Sequence, residues 1–236
     1  MSRNAQITRT TGETEIALTL DLDGDGAGSR DTGVGFFDHM LDAVARHGGL
    51  DLDVKVEGDL QTGPHHTVED TGIVLGRALD EALGDRAGIR RYGSAVVPMD
   101  EARASCALDV SGRTFLAFDA DLPAEAIADF DSDLLEEFLR AVAGAAKLTV
   151  HVTVERGTNT HHMVVRRSRP SRARCARRCR STPTSPASRP RRACCDAVGA
   201  VLTRSTIGLR SSRYRHPGLR DGQPALGREG LRARGR

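Results

Sequence analysis

FFDHMLDAVARHGGLDLDVKVE, at residues 36–57, recurs as LLEEFLRAVAGAAKLTVHVTVE at residues 134–155, an offset of 98 positions. Each copy opens with apolar residues at helical spacing and closes with strict alternation of apolar and polar residues, as in a half-buried strand. Each strand then leads through a glycine-containing loop to a histidine pair, His65-His66 in the first copy and His161-His162 in the second. The sequence therefore predicts a duplicated unit of helix, strand, loop and histidine pair.

The chain on either side of this repeat, up to about residue 165, also alternates between strand and helix patterns. Residues 15–23 place leucine and isoleucine at every second position, which predicts a half-buried strand. Val68, Leu75 and Leu79 follow the first histidine pair at roughly helical spacing, so that pair is predicted to open a helix. These patterns predict alternating strands and helices, and with the repeat they predict a duplication.

Charge divides the chain into two unlike parts. Through Val165 it has 14 Lys+Arg and 29 Asp+Glu, whereas from Arg166 onward it has 20 Arg and 3 acidic residues, so the net charge of +2 is a cancellation. Cys106 is the single cysteine of the acidic part, which excludes a disulfide framework there and favours a cytoplasmic location. No apolar run approaches about 18 residues, and the N-terminus has no secretory pattern, so we expect neither a membrane span nor export.

The histidine pairs point to metal chemistry. His65 and Glu69 are four residues apart on the predicted helix and share one face, whereas His66 is rotated by about 100° and points toward a different ion. Mixed imidazole and carboxylate ligands suit an octahedral divalent ion, and manganese is the first choice. A single histidine pair is more often only a helix-start feature, but two pairs in repeated contexts favour metal binding.

The repeat also matches His39 on the first helix with Glu137 on the second. Alone, His39 would more often be a satisfied core histidine and Glu137 a solvated charge. Because both side chains can bind a hard cation and they occupy matching positions, we predict that both are metal ligands.

Several linked motifs resemble the imidazoleglycerol-phosphate dehydratase family. They are Phe-Phe-Asp-His-Met-Leu at 36–41, His47-Gly48, Pro-His-His-Thr-Val-Glu-Asp-Thr at 64–71, Gly-Ile-Arg-Arg-Tyr-Gly at 88–93, Pro-Met-Asp-Glu-Ala at 98–102 and the segment 159–162. The resemblance covers residues 7–164. It implies an α/β fold of the α+β type, with duplicated half-domains of mixed sheets backed by helices, similar to ribosomal S5 domain 2, and an assembly of 24 subunits.

The resemblance also implies roles for individual residues. One manganese ion would be bound by His39, His65, Glu69 and His161, and a second by His66, Glu137 and His162. Glu13 and His47 would be catalytic residues, although a strand-edge glutamate is the plainer interpretation of Glu13. The substrate would contact Arg91, Arg113, Asp100 and Glu101, with the two guanidinium groups on its phosphate.

The implied reaction removes water from D-erythro-imidazole-glycerol phosphate to give imidazole-acetol phosphate, in histidine biosynthesis. The proton to be lost is not acidic, so two manganese ions would stabilise negative charge on the substrate imidazole while a glutamate, with Glu13 the candidate, handles the proton. A binuclear metal hydrolase with the same ligands is the alternative enzyme. The small phosphorylated imidazole is the expected partner, and nucleic acid is not expected.

The pattern breaks at Val165, where the resemblance calls for a glutamate four residues after His161. An RNA-binding arm or a disordered basic tail would be the simple interpretations of the arginine-rich segment that follows. The genetic code offers another explanation, because residues 166–176 can be written in ordinary GC-rich codons and read again from one nucleotide earlier. In that frame they encode a helix typical of the family. Residues 190–196, treated in the same way, encode Ser-Thr-Lys-Gly-Val-Leu followed by a stop codon. We therefore predict a first half at 1–92, a truncated second half at 93–164 and a non-native tail at 165–236, in a chain that is inactive or nearly so.

Overall fold

A computed structural model describes residues 3–164 of the chain. These residues form two halves, each built on a four-stranded sheet. The first half contains β1 Asn4–Thr10, β2 Thr14–Asp21, β3 Arg30–Asp31, α1 Gly35–Gly48, β4 Asp51–Gly58, a short 3-10 turn Leu60–Thr62 and α2 His65–Leu83. The second half contains β5 Tyr92–Met99, β6 Ala102–Asp109, β7 Phe115–Asp119, β8 Ala126–Ile127, β9 Phe130–Asp131, α3 Leu134–Ala146, β10 Thr149–Arg156 and α4 Thr160–Val164. The predicted tail, residues 165–236, lies outside the described residues.

The two sheets share one topology. Their strand orders are β1-β2-β4-β3 and β5-β6-β10-β7. In each sheet order the first strand pairs antiparallel with the second, and the second pairs antiparallel with the third. The fourth strand pairs parallel with the third. The registers also agree, because Leu18 pairs with Val54 in the first sheet and Cys106 pairs with Val152 in the second. The predicted duplicated α/β fold with mixed sheets and helices is therefore confirmed.

The duplication extends further than the repeat visible in the sequence. The opening hairpins β1–β2 and β5–β6 also correspond, but at an offset of 88 residues rather than 98, as the match of Leu18 to Cys106 requires. The ten extra residues lie between β7 and α3, where the second half inserts the small hairpin β8–β9. Three residues make the equivalent connection between β3 and α1 in the first half.

The inserted hairpin joins the two halves. Phe130 packs its ring against Phe36 and Phe37 of α1, with centroid distances of 5.5 and 6.1 Å. Asp129 accepts hydrogen bonds from the backbone N–H groups of Gly35 and Phe36 at 2.8 and 3.2 Å. Because the first N–H groups of a helix have no partner within the helix, this carboxylate stabilises the start of α1.

Helices α2 and α3 also hold the halves together, through very small residues. A Cβ atom placed on Gly72 would lie 2.8 Å from the Cβ of Ala141, and one on Gly76 would lie 2.6 Å from that of Ala145. Glycine therefore lets the two backbones approach closely here. Within residues 3–164, the structure has no helix that is long and apolar enough to span a membrane.

Candidate active site

The first histidine pair begins helix α2, as predicted. Nε2 of His65 lies 3.5 Å from Oε2 of Glu69, one helical turn later, and both side chains are about half exposed. The ring of His66 is almost perpendicular to that of His65, at 87°, with the ring centroids 5.9 Å apart. The rings of the two neighbouring histidines are therefore oriented differently.

His66 is held by a residue that sequence reasoning missed. Its Nδ1 lies 3.1 and 3.0 Å from the two carboxylate oxygens of Asp59, in the loop between β4 and α2. The hydrogen bond that His66 donates to Asp59 raises the pKa of His66 above its ordinary value, and the negative charge of Glu13 adds to this effect. Two side-chain hydrogen bonds lower the pKa of Asp59. The one donated by Thr62 has the larger effect, and the one donated by His66 has the smaller effect.

The second histidine pair lies in α4 and has a similar carboxylate partner. Nδ1 of His162 lies 3.0 and 2.9 Å from the two oxygens of Glu101, in the turn between β5 and β6. This hydrogen bond lowers the pKa of Glu101. Asn159 accepts the backbone N–H of His162 and so stabilises the start of the short helix. The placement of the His161 side chain lies outside what the structure describes.

The remaining predicted ligands, His39 and Glu137, lie on helices α1 and α3. His39 is half-buried on α1, and Glu137 is half-buried in the first turn of α3. Glu69 and Glu137 line one open groove between α2 and α3, although they are predicted to bind different ions. Among the side chains of residues 3–164 that the structure describes, no three His, Cys, Asp or Glu form a group that could hold a metal ion. The predicted ligands are therefore found as pairs and single residues rather than as complete sites.

Glu13 is exposed in the turn of the β1–β2 hairpin, which packs against the start of α2. Asp70 of α2 makes the connection, because it accepts hydrogen bonds from Thr14 Oγ1 at 2.5 Å and from Arg9 Nη2 at 2.9 Å. Thr11 Oγ1 in turn accepts the backbone N–H of Glu13 at 3.2 Å. The network of Asp70 thus holds the Glu13 turn next to the first histidine pair.

The two predicted phosphate-binding arginines converge on one carboxylate. Arg91 donates hydrogen bonds from Nε and Nη2 to the two oxygens of Asp109, at 2.6 and 3.0 Å, and Nη2 of Arg113 lies 3.9 Å from the same group. The hydrogen bond from Arg91 lowers the pKa of Asp109. The guanidinium of Arg91 also lies over the ring of Tyr92, 5.0 Å from its centroid. Asp109 therefore occupies the place where these arginines would meet an anion.

His47 and Asp100 are the two remaining residues of the predicted site. His47 is half-buried in the last turn of α1. Asp100 is exposed and precedes Glu101 in the two-residue turn between β5 and β6, with a φ of 49°. That turn carries Asp100 beside the carboxylate that holds His162.

Comparison with known proteins identifies the family. The family model of imidazoleglycerol-phosphate dehydratase matches residues 32–169. The chain belongs to the imidazoleglycerol-phosphate dehydratase family. It is 54% identical over 164 residues to the enzyme of this name from Acetivibrio thermocellus, which covers 70% of this chain and 84% of that one. It is 57% identical over 162 residues to that of Symbiobacterium thermophilum, covering 69% and 78% of the two chains.

Solved structures agree with this family membership. The imidazoleglycerol-phosphate dehydratase of Staphylococcus aureus superposes with a TM-score of 0.66 at 34% identity, covering 84% of this chain and 95% of that one. That of Pyrococcus furiosus, solved in complex with (S)-C348, gives a TM-score of 0.66 at 29% identity, covering 89% and 98%. Family membership makes the protein a lyase of histidine biosynthesis. The roles of its individual site residues remain predictions.

Proposed function

We propose that the fold described here removes water from D-erythro-imidazole-glycerol phosphate to give imidazole-acetol phosphate. Besides family membership, one observation carries the proposal: His66 and His162 each engage a carboxylate through Nδ1, so that Nε2 is the nitrogen of each ring that would bind a metal ion. Metal-binding histidines commonly have such a carboxylate on the opposite nitrogen. We place the reaction in the cytoplasm.

The donor set fits two manganese ions. Nε2 of His65 and Oε2 of Glu69 are 3.5 Å apart, close enough for both to bind one divalent ion. His39 and His161 would complete that site, and His66, Glu137 and His162 would hold the second ion. Bound manganese would supply Lewis-acid stabilisation of the negative charge that develops on the substrate imidazole.

We further propose that the sites are completed in a homo-oligomer of the family's 24-subunit kind. The described part of a single chain brings the ligands together only as pairs. A second copy that presents its α4 to the α2 of the first would add the missing donors.

Arg91 and Arg113 would bind the substrate phosphate. Their guanidinium groups already face a common anionic group in Asp109, and a dianionic phosphate would attract them more strongly than one carboxylate does. His47 and Asp100 would orient the rest of the substrate.

Glu13 would transfer the proton. Its carboxylate is exposed, and among the described residues it makes no side-chain hydrogen bond that would compete with this task. It would accept the proton from carbon and pass it to the neighbouring hydroxyl, so that the C–O bond breaks with loss of water and the carboxylate is regenerated. The fixed position of the hairpin on Asp70 would keep Glu13 close to the substrate bound beside His66.

Product analysis tests the proposal. Protein whose reading frame is restored after Val164, loaded with Mn²⁺, should convert D-erythro-imidazole-glycerol phosphate to imidazole-acetol phosphate, followed by NMR. Release of inorganic phosphate with no ketone would instead indicate a metal-dependent hydrolase and would contradict the proposed reaction.

A further inference from the structure

We propose that Asp59 and Glu101 are positioning residues, which fix the tautomer and the orientation of His66 and His162 so that Nε2 of each ring faces a metal ion. The identity of that ion as manganese rests on the proposed function, whereas the positioning of the two rings does not. Glu101, expected from the resemblance to contact substrate, is thereby assigned to a histidine.

The geometry requires one tautomer. A carboxylate only accepts hydrogen bonds, so the ring nitrogen that lies beside it must carry the proton. Both oxygens of Asp59 lie within 3.1 Å of Nδ1 of His66, and both oxygens of Glu101 lie within 3.0 Å of Nδ1 of His162. In a neutral ring with the proton on Nδ1, Nε2 holds the free lone pair that a metal ion needs.

Asp59 is itself held rigidly. Thr62 Oγ1 donates to Oδ2 of Asp59 at 2.8 Å, and the backbone N–H of Asp59 donates to the carbonyl of Glu13 at 3.0 Å. The Asp59 side chain is 17% exposed, whereas that of His66 is 44% exposed. The carboxylate is thus the fixed partner, and the imidazole is oriented by it.

Both halves place a carboxylate beside Nδ1 of a histidine, but the two carboxylates come from positions that are not equivalent. The position equivalent to Asp59, 98 residues later, is Gly157, where even a Cβ would lie 2.3 Å from the side chain of Met163. A carboxylate there would require the buried Met163 side chain to move. Glu101, reaching from the β5–β6 turn, contacts the histidine instead.

The different origin of the carboxylate in the two halves also explains why the surroundings of Glu13 differ from those of Glu101. At the offset of 88 residues, Glu13 is the counterpart of Glu101. Because Asp59 already accepts the hydrogen bond from Nδ1 of His66, Glu13 is not required to accept it. One half can therefore use its turn glutamate to hold a histidine while the other keeps it for chemistry.

Histidine tautomers provide a test that needs no metal. In the full chain labelled with ¹⁵N-histidine, the neutral rings of His66 and His162 should carry their proton on Nδ1. Asp59→Ala should shift His66 toward the Nε2–H form and leave His162 unchanged, and Glu101→Ala should do the reverse. Asp59→Asn, whose amide oxygen still accepts a hydrogen bond, should restore the Nδ1–H form of His66.

Manganese titration, monitored by the EPR signal of free Mn²⁺, gives a second measurement. Asp59→Ala and Glu101→Ala should each weaken binding by about 10–100-fold, with Asp59→Asn affected less. Glu57→Gln is the matched control, because it removes an exposed carboxylate two positions from Asp59 that pairs with Lys55.

The outcomes separate the two proposals. Unchanged tautomers in both alanine variants would overturn the positioning role. Tautomer shifts in a chain that binds no Mn²⁺ would support the positioning role and count against manganese as the ion.

Discussion

Glu13 and Glu101 occupy equivalent positions in the two halves, each directly before the second strand of the opening hairpin. Their partners differ. Glu101 accepts a hydrogen bond from Nδ1 of His162. In the first half, Asp59 accepts the corresponding hydrogen bond from His66, and Glu13 stays exposed. Duplication thus produced two similar turns, and we infer different tasks for their glutamates.

Glu13→Gln should lower the turnover number by about 10²–10⁴-fold, because the amide cannot accept a proton. Manganese binding should stay the same, since Glu13 is not among the predicted ligands. The measurement is the rate of imidazole-acetol phosphate formation by frame-restored protein at saturating Mn²⁺, beside the unsubstituted protein. Full turnover by the variant would rule out Glu13 as the proton-transferring group.

His65→Ala and His162→Ala, also in frame-restored protein, should each abolish dehydration and lower the bound manganese, because each removes a ligand from a different ion. Metal content is measured by elemental analysis after gel filtration in Mn²⁺-containing buffer. His151→Ala is a suitable control, since this histidine lies on β10 against Phe115 and outside the predicted ligand set. Unchanged metal content in both ligand variants would refute the assignment.

Gly76→Ala should destabilise the fold by about 1–3 kcal/mol, because the added methyl group would overlap Ala145 and the carbonyl of Val142 in the contact between α2 and α3. Gly144→Ala is the control on the partner helix, where a Cβ has no heavy atom within 4 Å. Helix propensity alone predicts that it stabilises by about 0.5–1 kcal/mol. Urea unfolding distinguishes the two, and a stabilising Gly76→Ala would contradict the close packing.

Asp80 links α2 to the end of α3 and should make stability depend on pH. Burial acts to raise the pKa of Asp80, but its hydrogen bonds to Lys147, at 2.6 Å, and to Arg86 outweigh burial and lower it. A lowered folded-state pKa stabilises the protein above the unfolded-state value of about 3.9, and the effect is lost as the pH falls through the folded-state pKa.

Asp80→Asn should therefore reduce the free energy of unfolding by about 1 kcal/mol at neutral pH. The difference from the unsubstituted protein should disappear at strongly acidic pH, where Asp80 is protonated in both states. Urea unfolding across this pH range checks it, and a difference that persists unchanged into acid would argue against the ion pairs.

Local patterns predicted the central repeat and the histidine pairs well. His65 and Glu69 are four residues apart, so helical periodicity alone was enough to place them on one face. The matching helices and strands also kept a constant offset of 98 residues. The duplicated hairpins escaped detection because the β8–β9 insertion changes their offset to 88 residues and little of their sequence is shared.

Tertiary contacts account for what the sequence could not reveal. Glu101 meets His162 only because β6 pairs with β10, and the two residues are 61 positions apart. Asp109 stands 18 positions from Arg91, with no motif to connect them. Asp59 is nearer, seven residues before His66, and an acidic residue just ahead of a histidine-led helix could have suggested it.

The most direct test is growth of a bacterial histidine auxotroph that lacks its own imidazoleglycerol-phosphate dehydratase. Growth without histidine is expected when the gene has one nucleotide restored at codon 165, and no growth is expected from the gene as it stands, with both proteins expressed equally. Failure of the restored gene would contradict the proposed function. Growth from the unrepaired gene would contradict the prediction that the chain as it stands is inactive or nearly so.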